Sequence, residues 1–251
     1  MSLVPAQGSA LLSAWSSLPE PLIAELYANT SVDAVTFDMQ HGLAGIESVM
    51  RCVGAVKRLG KPAIVRTPVG DWASVSRCLD FGADAIIAPM INTPEDARRF
   101  AGAAKYPPVG ERSYGPTRAV NVTSYPDAAS YRTSANADTK AIAMIETATA
   151  VENLDAIAGM DGIDALFVGP ADLSFSLAGG KELVPFGDGS MPAIKAVVQA
   201  VKDHGKWAAI YCYSVEDAKL ARSLGFDFIA LGNDAAYVRE GLNDMVVGAR
   251  G

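Results

Sequence analysis

The stretch KPAIVRTPVGDWASVSRCLDFGADAIIAPMI, residues 61–91, decides the fold. AIVR and AIIA are short, mainly apolar runs bounded by turn residues, and such runs read as buried strands. DWASVSRCLDFG between them reads as a helix, and Gly82 falls where a C′ glycine would stop it. Strand, helix and strand in that order make a parallel pair joined by a right-handed crossover.

The alternation continues in both directions. Upstream stand ALLSAWS, a helix around PLIAELYAN, DAVTFDM and a helix from Ile46 to Leu59. Downstream, TPEDARRFAGAAK precedes KAIAMIET, and ATAVENLDAIAGM precedes IDALFVGP. A short helix and PAIKAVVQAVKDHG lead to KWAAIYCY, SVEDAKLARSLG, FDFIALGND and AAYVREGLNDMVVGA. Thr93-Pro94-Glu95-Asp96 reads as a helix start, and Ser214-Val215-Glu216-Asp217 has capping-box spacing. Gly60, Gly205 and Gly225, like Gly82, fall at expected helix ends. Eight strand–helix units in 251 residues predict an α/β fold, a (β/α)8 TIM barrel with eight parallel strands, as one domain over residues 1–251. A doubly wound open sheet competes, but no GxGxxG follows the first strand. Residues 107–139 break the rhythm, and a connection this long suggests a functional or interfacial role.

Composition narrows the partners. A formal charge of −7 argues against nucleic acid and anionic membranes. No apolar run reaches membrane-spanning length, and MSLVPAQGSA lacks the features of a signal peptide. Cys52, Cys78 and Cys212 are scattered without CxxC spacing, which suits small core residues in a reducing, cytoplasmic setting.

A barrel of this kind carries its chemistry at the C-terminal strand ends. Those ends supply Asp38 and His41, Arg66, Pro89 and Met90, Glu146, then Gly169, Pro170, Ala171 and Asp172. Strand seven adds Tyr211, and strand eight adds Asn233 and Asp234. The opposite ends carry residues that look merely solvated, such as Asp33, Lys61, Asp84 and Lys140. Strand alternation puts Thr36 and Asp38 on one face, with Val35, Phe37 and Met39 on the other. The apolar face belongs under the helices, so Asp38 points into the barrel. Arg66 and Glu146 follow by the same parity. His204, at a helix end on the opposite barrel face, suits the helix dipole.

Glu146 and Asp172 come from adjacent strands, and close carboxylates repel unless a proton or cation lies between them. Oxygen ligands point to a hard divalent ion such as Mg²⁺ or Mn²⁺. A retaining-glycosidase pair is the competing use, disfavoured by the His and Arg beside it. A Schiff-base lysine finds no place, since Lys61, Lys140 and Lys206 begin strands, and Lys57, Lys105, Lys195, Lys202 and Lys219 fall in helices. Lys181 alone is unplaced. A 2-keto acid chelating the ion, Arg66 on an enolate, His41 as proton shuttle and Asp38 orienting the imidazole form a coherent set. Backbone N–H groups around Gly169 to Asp172 suit the substrate carboxylate.

FDMQHG, VRTP, MIET and FVGPADLS, in this order, resemble the HpcH/HpaI aldolase family of metal-dependent 2-keto acid aldolases. The likeness runs from about residue 10 to 245. It implies reversible aldol cleavage with a divalent ion (Mg²⁺, Mn²⁺ or Co²⁺) on Glu146 and Asp172. It implies His41 as acid/base working with Asp38, and Arg66 on the keto oxygen and enolate. The donor would be pyruvate or hydroxypyruvate and the acceptor an aldehyde. It also implies a homo-hexamer, a trimer of dimers with a helix exchanged between subunits. YPPVGERSYGPTRA matches a family stretch in which a glycine is expected near Ser113-Tyr114. Gln40 and Met144 depart from the family pattern, where Glu and Gln are more familiar. Tyr211, Cys212 and Trp15 are candidates for the aldehyde pocket, with simple packing as the competing role. A citryl- or malyl-CoA lyase-like enzyme and a non-catalytic keto acid-binding barrel are the alternatives.

Overall fold

A computed structural model of the chain describes residue 3, residues 9–123 and residues 125–251. Most of the N-terminal decapeptide discussed above lies outside them. The strands and helices alternate from β1 (Leu11–Ser16), α1 (Pro21–Ala28), β2 (Ala34–Asp38) and α2 (Ile46–Arg58) to β3 (Ala63–Arg66), α3 (Trp72–Asp80), β4 (Ala85–Ala88) and α4 (Pro94–Ala104). Two further helices follow, α5 (Ala119–Val122) and α6 (Ala128–Asp138). Then come β5 (Lys140–Ile145), α7 (Ala148–Glu152), α8 (Leu154–Ala158), β6 (Ala165–Val168), α9 (Pro170–Leu177) and α10 (Met191–Asp203). The chain ends with β7 (Trp207–Cys212), α11 (Val215–Leu224), β8 (Phe228–Leu231) and α12 (Asp234–Arg250). Each strand pairs in parallel with the next, and β8 pairs with β1, so the sheet is a closed (β/α)8 barrel.

Two apolar layers hold it. Ile64, Ile87, Ile142, Met144, Phe167 and Phe228 fill the barrel interior. Val35, Phe37, Val65, Ile86, Val168 and Ile210 lie between strands and helices. Strand parity separates the two sets, as the alternation within each strand predicts. Thr36 and Ser13 are buried polar residues whose hydroxyls satisfy each other at 2.8 Å.

The helix ends follow their sequence signals. Thr93 with Asp96, and Ser214 with Asp217, form complete capping boxes. Gly60, Gly82, Gly205 and Gly225 all adopt positive φ at helix ends.

The N-terminal barrel end corrects one expectation. Asp33 and Asp84 are not merely solvated. Asp33, Asp84, Asp164 and Asp227 each precede an even-numbered strand and accept an N–H from the preceding strand, at 2.7–2.9 Å. Lys57 pairs with Asp84 at 2.6 Å, and buried Lys105 pairs with Asp164 at 2.7 Å. This ring of aspartates satisfies strand-end donors that would otherwise lack partners.

The long connection over 107–139 packs on the barrel's flank. Tyr106, Ala119, Tyr131 and Ala135 form a separate apolar cluster. Buried Arg112 ties it to α3 through Asp80 at 2.6 Å and lies 4.4 Å from the Tyr106 ring centre. None of its described residues lines the cavity at the C-terminal barrel end.

Candidate active site

The C-terminal strand ends enclose a cavity of about 280 Å³ whose wall includes Trp15, Asp38, His41, Arg66, Asp172 and Tyr211. Gly169, Pro170 and Ala171 line it as well. No lysine is among the described residues on its wall.

Asp38 and Arg66 are register partners across β2 and β3. Equal parity turns both inward, and their side chains meet in a two-bonded fork. Arg66 Nε donates to Asp38 Oδ1 at 2.9 Å, and Nη2 donates to Oδ2 at 2.6 Å. The guanidinium carbon lies 4.8 Å from the centre of the Trp15 ring. Nη1, the remaining arm, makes no hydrogen bond among the described residues. Burial pushes the Asp38 carboxyl up. Hydrogen bonds and charge from Arg66, with N–H groups of His41 and Gln40, outweigh burial and hold it below the usual range.

Here the structure corrects the expected Asp38–His41 pairing. Asp38 Oδ1 accepts the backbone N–H of Gln40 at 2.9 Å and of His41 at 3.2 Å. It makes no hydrogen bond to the imidazole. A fork to Arg66 leaves Asp38 few lone pairs, so it shapes the loop that carries His41 and leaves the exposed ring free. Gly42 lets that loop close. A Cβ there would stand 2.2 Å from the Asp38 carbonyl oxygen and 3.0 Å from the Ser17 backbone.

Glu146 follows β5 and is almost fully buried. Its Oε1 accepts the Met90 N–H at 2.7 Å. Met90 has φ of 56°, the one positive φ of a non-glycine among the described residues. Such backbone strain clusters where a function demands it. Oε2 lies over Gly169, where a Cβ would come within 2.6 Å of it. Burial pushes the Glu146 carboxyl up to about 7; the Asp172 charge adds to this, while the Met90 N–H and the Arg66 charge oppose it.

Asp172 sits in the first turn of α9, whose N-cap Gly169 supplies no side chain. Gly169 to Asp172 at this helix start line the cavity, the stretch expected from sequence to receive the substrate carboxylate; the Gly169 N–H itself goes to the Ile145 carbonyl at 3.3 Å. A divalent ion fits this donor set. Glu146 and Asp172 offer hard oxygen ligands, and Gly169 leaves room beside the Glu146 oxygen for a neighbour. Among the described residues no group of three or more His, Cys, Asp or Glu gathers around a metal position.

Other rim residues take other parts. Asp234 is buried and structural: it accepts the Tyr27 hydroxyl at 2.6 Å, the Ser16 hydroxyl at 3.1 Å and the Leu18 N–H at 3.2 Å. Tyr211 donates to the Gly232 carbonyl at 3.0 Å and packs edge-on against Trp15. Cys212 is buried in the outer layer, behind the strand, so packing is its role. Lining residues that sequence reading missed are Ser17 and Tyr213. Tyr213 lies beyond the end of β7, where strand parity no longer predicts direction.

The model of the HpcH/HpaI aldolase/citrate lyase family matches residues 12–240. The chain belongs to this family. A hydroxypyruvate/pyruvate aldolase of Rhizorhabdus wittichii is 36% identical over 245 residues, covering 97% of this chain and 96% of that one. A 2-keto-3-deoxy-L-rhamnonate aldolase of Salmonella paratyphi A is 29% identical, with 96% and 89% covered. Among solved structures, an HpcH/HpaI aldolase/citrate lyase family protein from Burkholderia cenocepacia aligns with a TM-score of 0.86 at 27% identity, covering 97% and 96%. Membership in the HpcH/HpaI family makes the chain a carbon–carbon lyase of the aldolase type.

Proposed function

We propose that the chain catalyses divalent-metal-dependent, reversible cleavage of 4-hydroxy-2-keto acids into pyruvate or hydroxypyruvate and an aldehyde. The observation that carries this reading is the convergence of the buried Arg66–Asp38 fork and the Glu146/Asp172 carboxylates at one barrel mouth. A divalent ion on Glu146 and Asp172 would supply Lewis acidity toward the keto and carboxylate oxygens of the substrate.

The protein's own groups do the rest. In cleavage, the His41 imidazole accepts the C4 hydroxyl proton. The C3–C4 bond breaks, its electron pair enters the keto acid as an enolate, and C4 leaves as the aldehyde carbon. The enolate then takes that proton at C3 from the His41 imidazolium, which returns the imidazole to its starting state. Arg66 Nη1 donates to the enolate oxygen, and Asp38 holds the guanidinium in that orientation while keeping its own proton off. The first-turn N–H groups of α9 receive the carboxylate.

The test is exchange of C3 protons of pyruvate, and separately of hydroxypyruvate, for deuterium, followed by NMR with added Mn²⁺. Exchange is expected in wild type, lost with chelator, and reduced at least about a hundredfold in His41→Ala. Exchange that persists unchanged without His41 would remove its role, and silence with both keto acids would overturn the aldolase reading. A CoA-lyase role is disfavoured, because among the described residues Arg66 is the one Lys or Arg on the cavity wall and its charge is already paired.

The site belongs to a larger assembly on this reading. α12 buries only Asp234 and exposes Val238, Leu242 and Met245 at helical spacing. An exchanged helix in a trimer of dimers would cover that stripe. Light scattering is expected to give six times the 26.2 kDa chain mass; a monomer would refute it. A cytoplasmic location suits the three free cysteines. No described helix is long and apolar enough to cross a membrane.

A further inference from the structure

We propose that the acceptor side of this cavity selects a neutral aldehyde with an aromatic or apolar body, and that Tyr213 is the residue that selects it. The proposal rests on the aldolase reading and adds the acceptor's chemical class.

Three rings step outward from the barrel interior. Trp15 and Tyr211 meet at 5.3 Å and 83°, and Tyr211 and Tyr213 at 4.9 Å and 72°. The inner two are fixed. Trp15 is buried beneath Arg66, and the Tyr211 hydroxyl is spent on Gly232. Tyr213 is 47% exposed and ends the ladder, so its ring offers surface to a ligand. Edge-to-face and offset contacts of this kind add to the plain gain from area burial.

Tyr213 also joins two spaces. It lines the mouth cavity, and it lines an adjoining cleft of about 440 Å³ together with Val184, Pro185 and Phe186. A substrate with its keto acid end against α9 would have its far end at Tyr213, the residue that both spaces share. Charge in the two spaces points the same way. Among the described residues, the cleft wall adds one carboxylic acid, Asp217, and no Lys or Arg. The mouth contributes Asp172, the proton-carrying His41 and an Arg66 already paired with Asp38. Beyond His41, which the reaction itself uses, an aldehyde with a carboxylate or phosphate tail would meet acids and no unpaired Lys or Arg among the described lining residues.

The experiment measures kcat/KM for addition of the exchanging keto acid to benzaldehyde, glycolaldehyde and succinic semialdehyde. Wild type is expected to favour benzaldehyde over succinic semialdehyde by about tenfold or more. Tyr213→Ala is expected to lower the benzaldehyde-to-glycolaldehyde ratio about tenfold, and Tyr213→Phe to retain it. The ratio guards against a poorly folded variant, which would lose both aldehydes alike. A preference for succinic semialdehyde, or an unchanged ratio in Tyr213→Ala, overturns the proposal while deuterium exchange still supports the aldolase. Absence of exchange in wild type overturns both together.

Discussion

Arg66→Ala is expected to lower kcat/KM by about two to three orders of magnitude and to destabilise the fold by about 3–5 kcal/mol. Both losses come from one geometry. The two-bonded fork fixes the guanidinium with Nη1 left over, the arm proposed to meet the enolate oxygen, so removing the guanidinium removes a preorganised donor. It also strands Asp38, a buried carboxylate that keeps its charge because Arg66 and two backbone N–H groups outweigh burial. The sign of the pH dependence follows. In wild type the folded carboxyl titrates below its unfolded range near pH 4. Its contribution is therefore present above that range and lost as pH falls through the folded value. Without Arg66, burial is opposed only by the N–H groups and the carboxyl rises. The variant then loses stability as pH increases from about 4 to 7, where wild type gains or holds it. Urea unfolding across that window checks the slope. A variant within about 1 kcal/mol of wild type at pH 7 would mean that the fork contributes little, as exposed pairs do. Arg66→Lys keeps the charge and loses the fork, so it is expected to recover stability better than rate.

Glu146→Gln is expected to move activity and stability in opposite directions. Turnover should fall more than about a hundredfold, because one of the two carboxylates proposed to hold the ion is lost. Without metal, the variant should be more stable than wild type at pH 8, by up to about 3 kcal/mol. The folded Glu146 carboxyl is raised from 4.5 to about 7, first by burial and then by Asp172. Between those values the folded state binds more protons than the unfolded one, so wild-type stability falls as pH rises through the window. Glutamine removes that cost and still accepts the Met90 N–H. Added Mn²⁺ is expected to raise the wild-type melting temperature at pH 8 and to leave the variant's nearly unchanged. The decisive comparison is metal-free unfolding at pH 5 and pH 8. Equal pH dependence in the two proteins would show that Glu146 is not the strained group.

Much of this was legible in the sequence, and particular residues show why. Repeated apolar runs with helices between them admit few arrangements of this length, and the barrel is the one observed. Parity within FDMQHG, AIVR and KAIAMIE is enough to turn Asp38, Arg66 and Glu146 inward, because alternation is a local property of extended backbone. The motif order pointed to the family for the same reason: each motif sits at the end of its own strand.

What sequence could not carry was partnership across space. Asp38 is three residues from His41, which suggested an imidazole partner, yet its fork goes to Arg66, its register neighbour on the next strand. The left-handed Met90 that holds Glu146 leaves no mark in residue type. Tyr213 lies past the last strand residue, where period-two logic ends and loop packing sets direction. The aspartates at the barrel's other end look solvated one at a time, and only the closed sheet shows each meeting its neighbour's N–H. The sequence by itself determined the barrel, its inward-facing charges and the class of chemistry. The tertiary structure alone decided which charges pair, which ring stays open and where a neighbour fits, because those depend on strand register and on how closely loops approach.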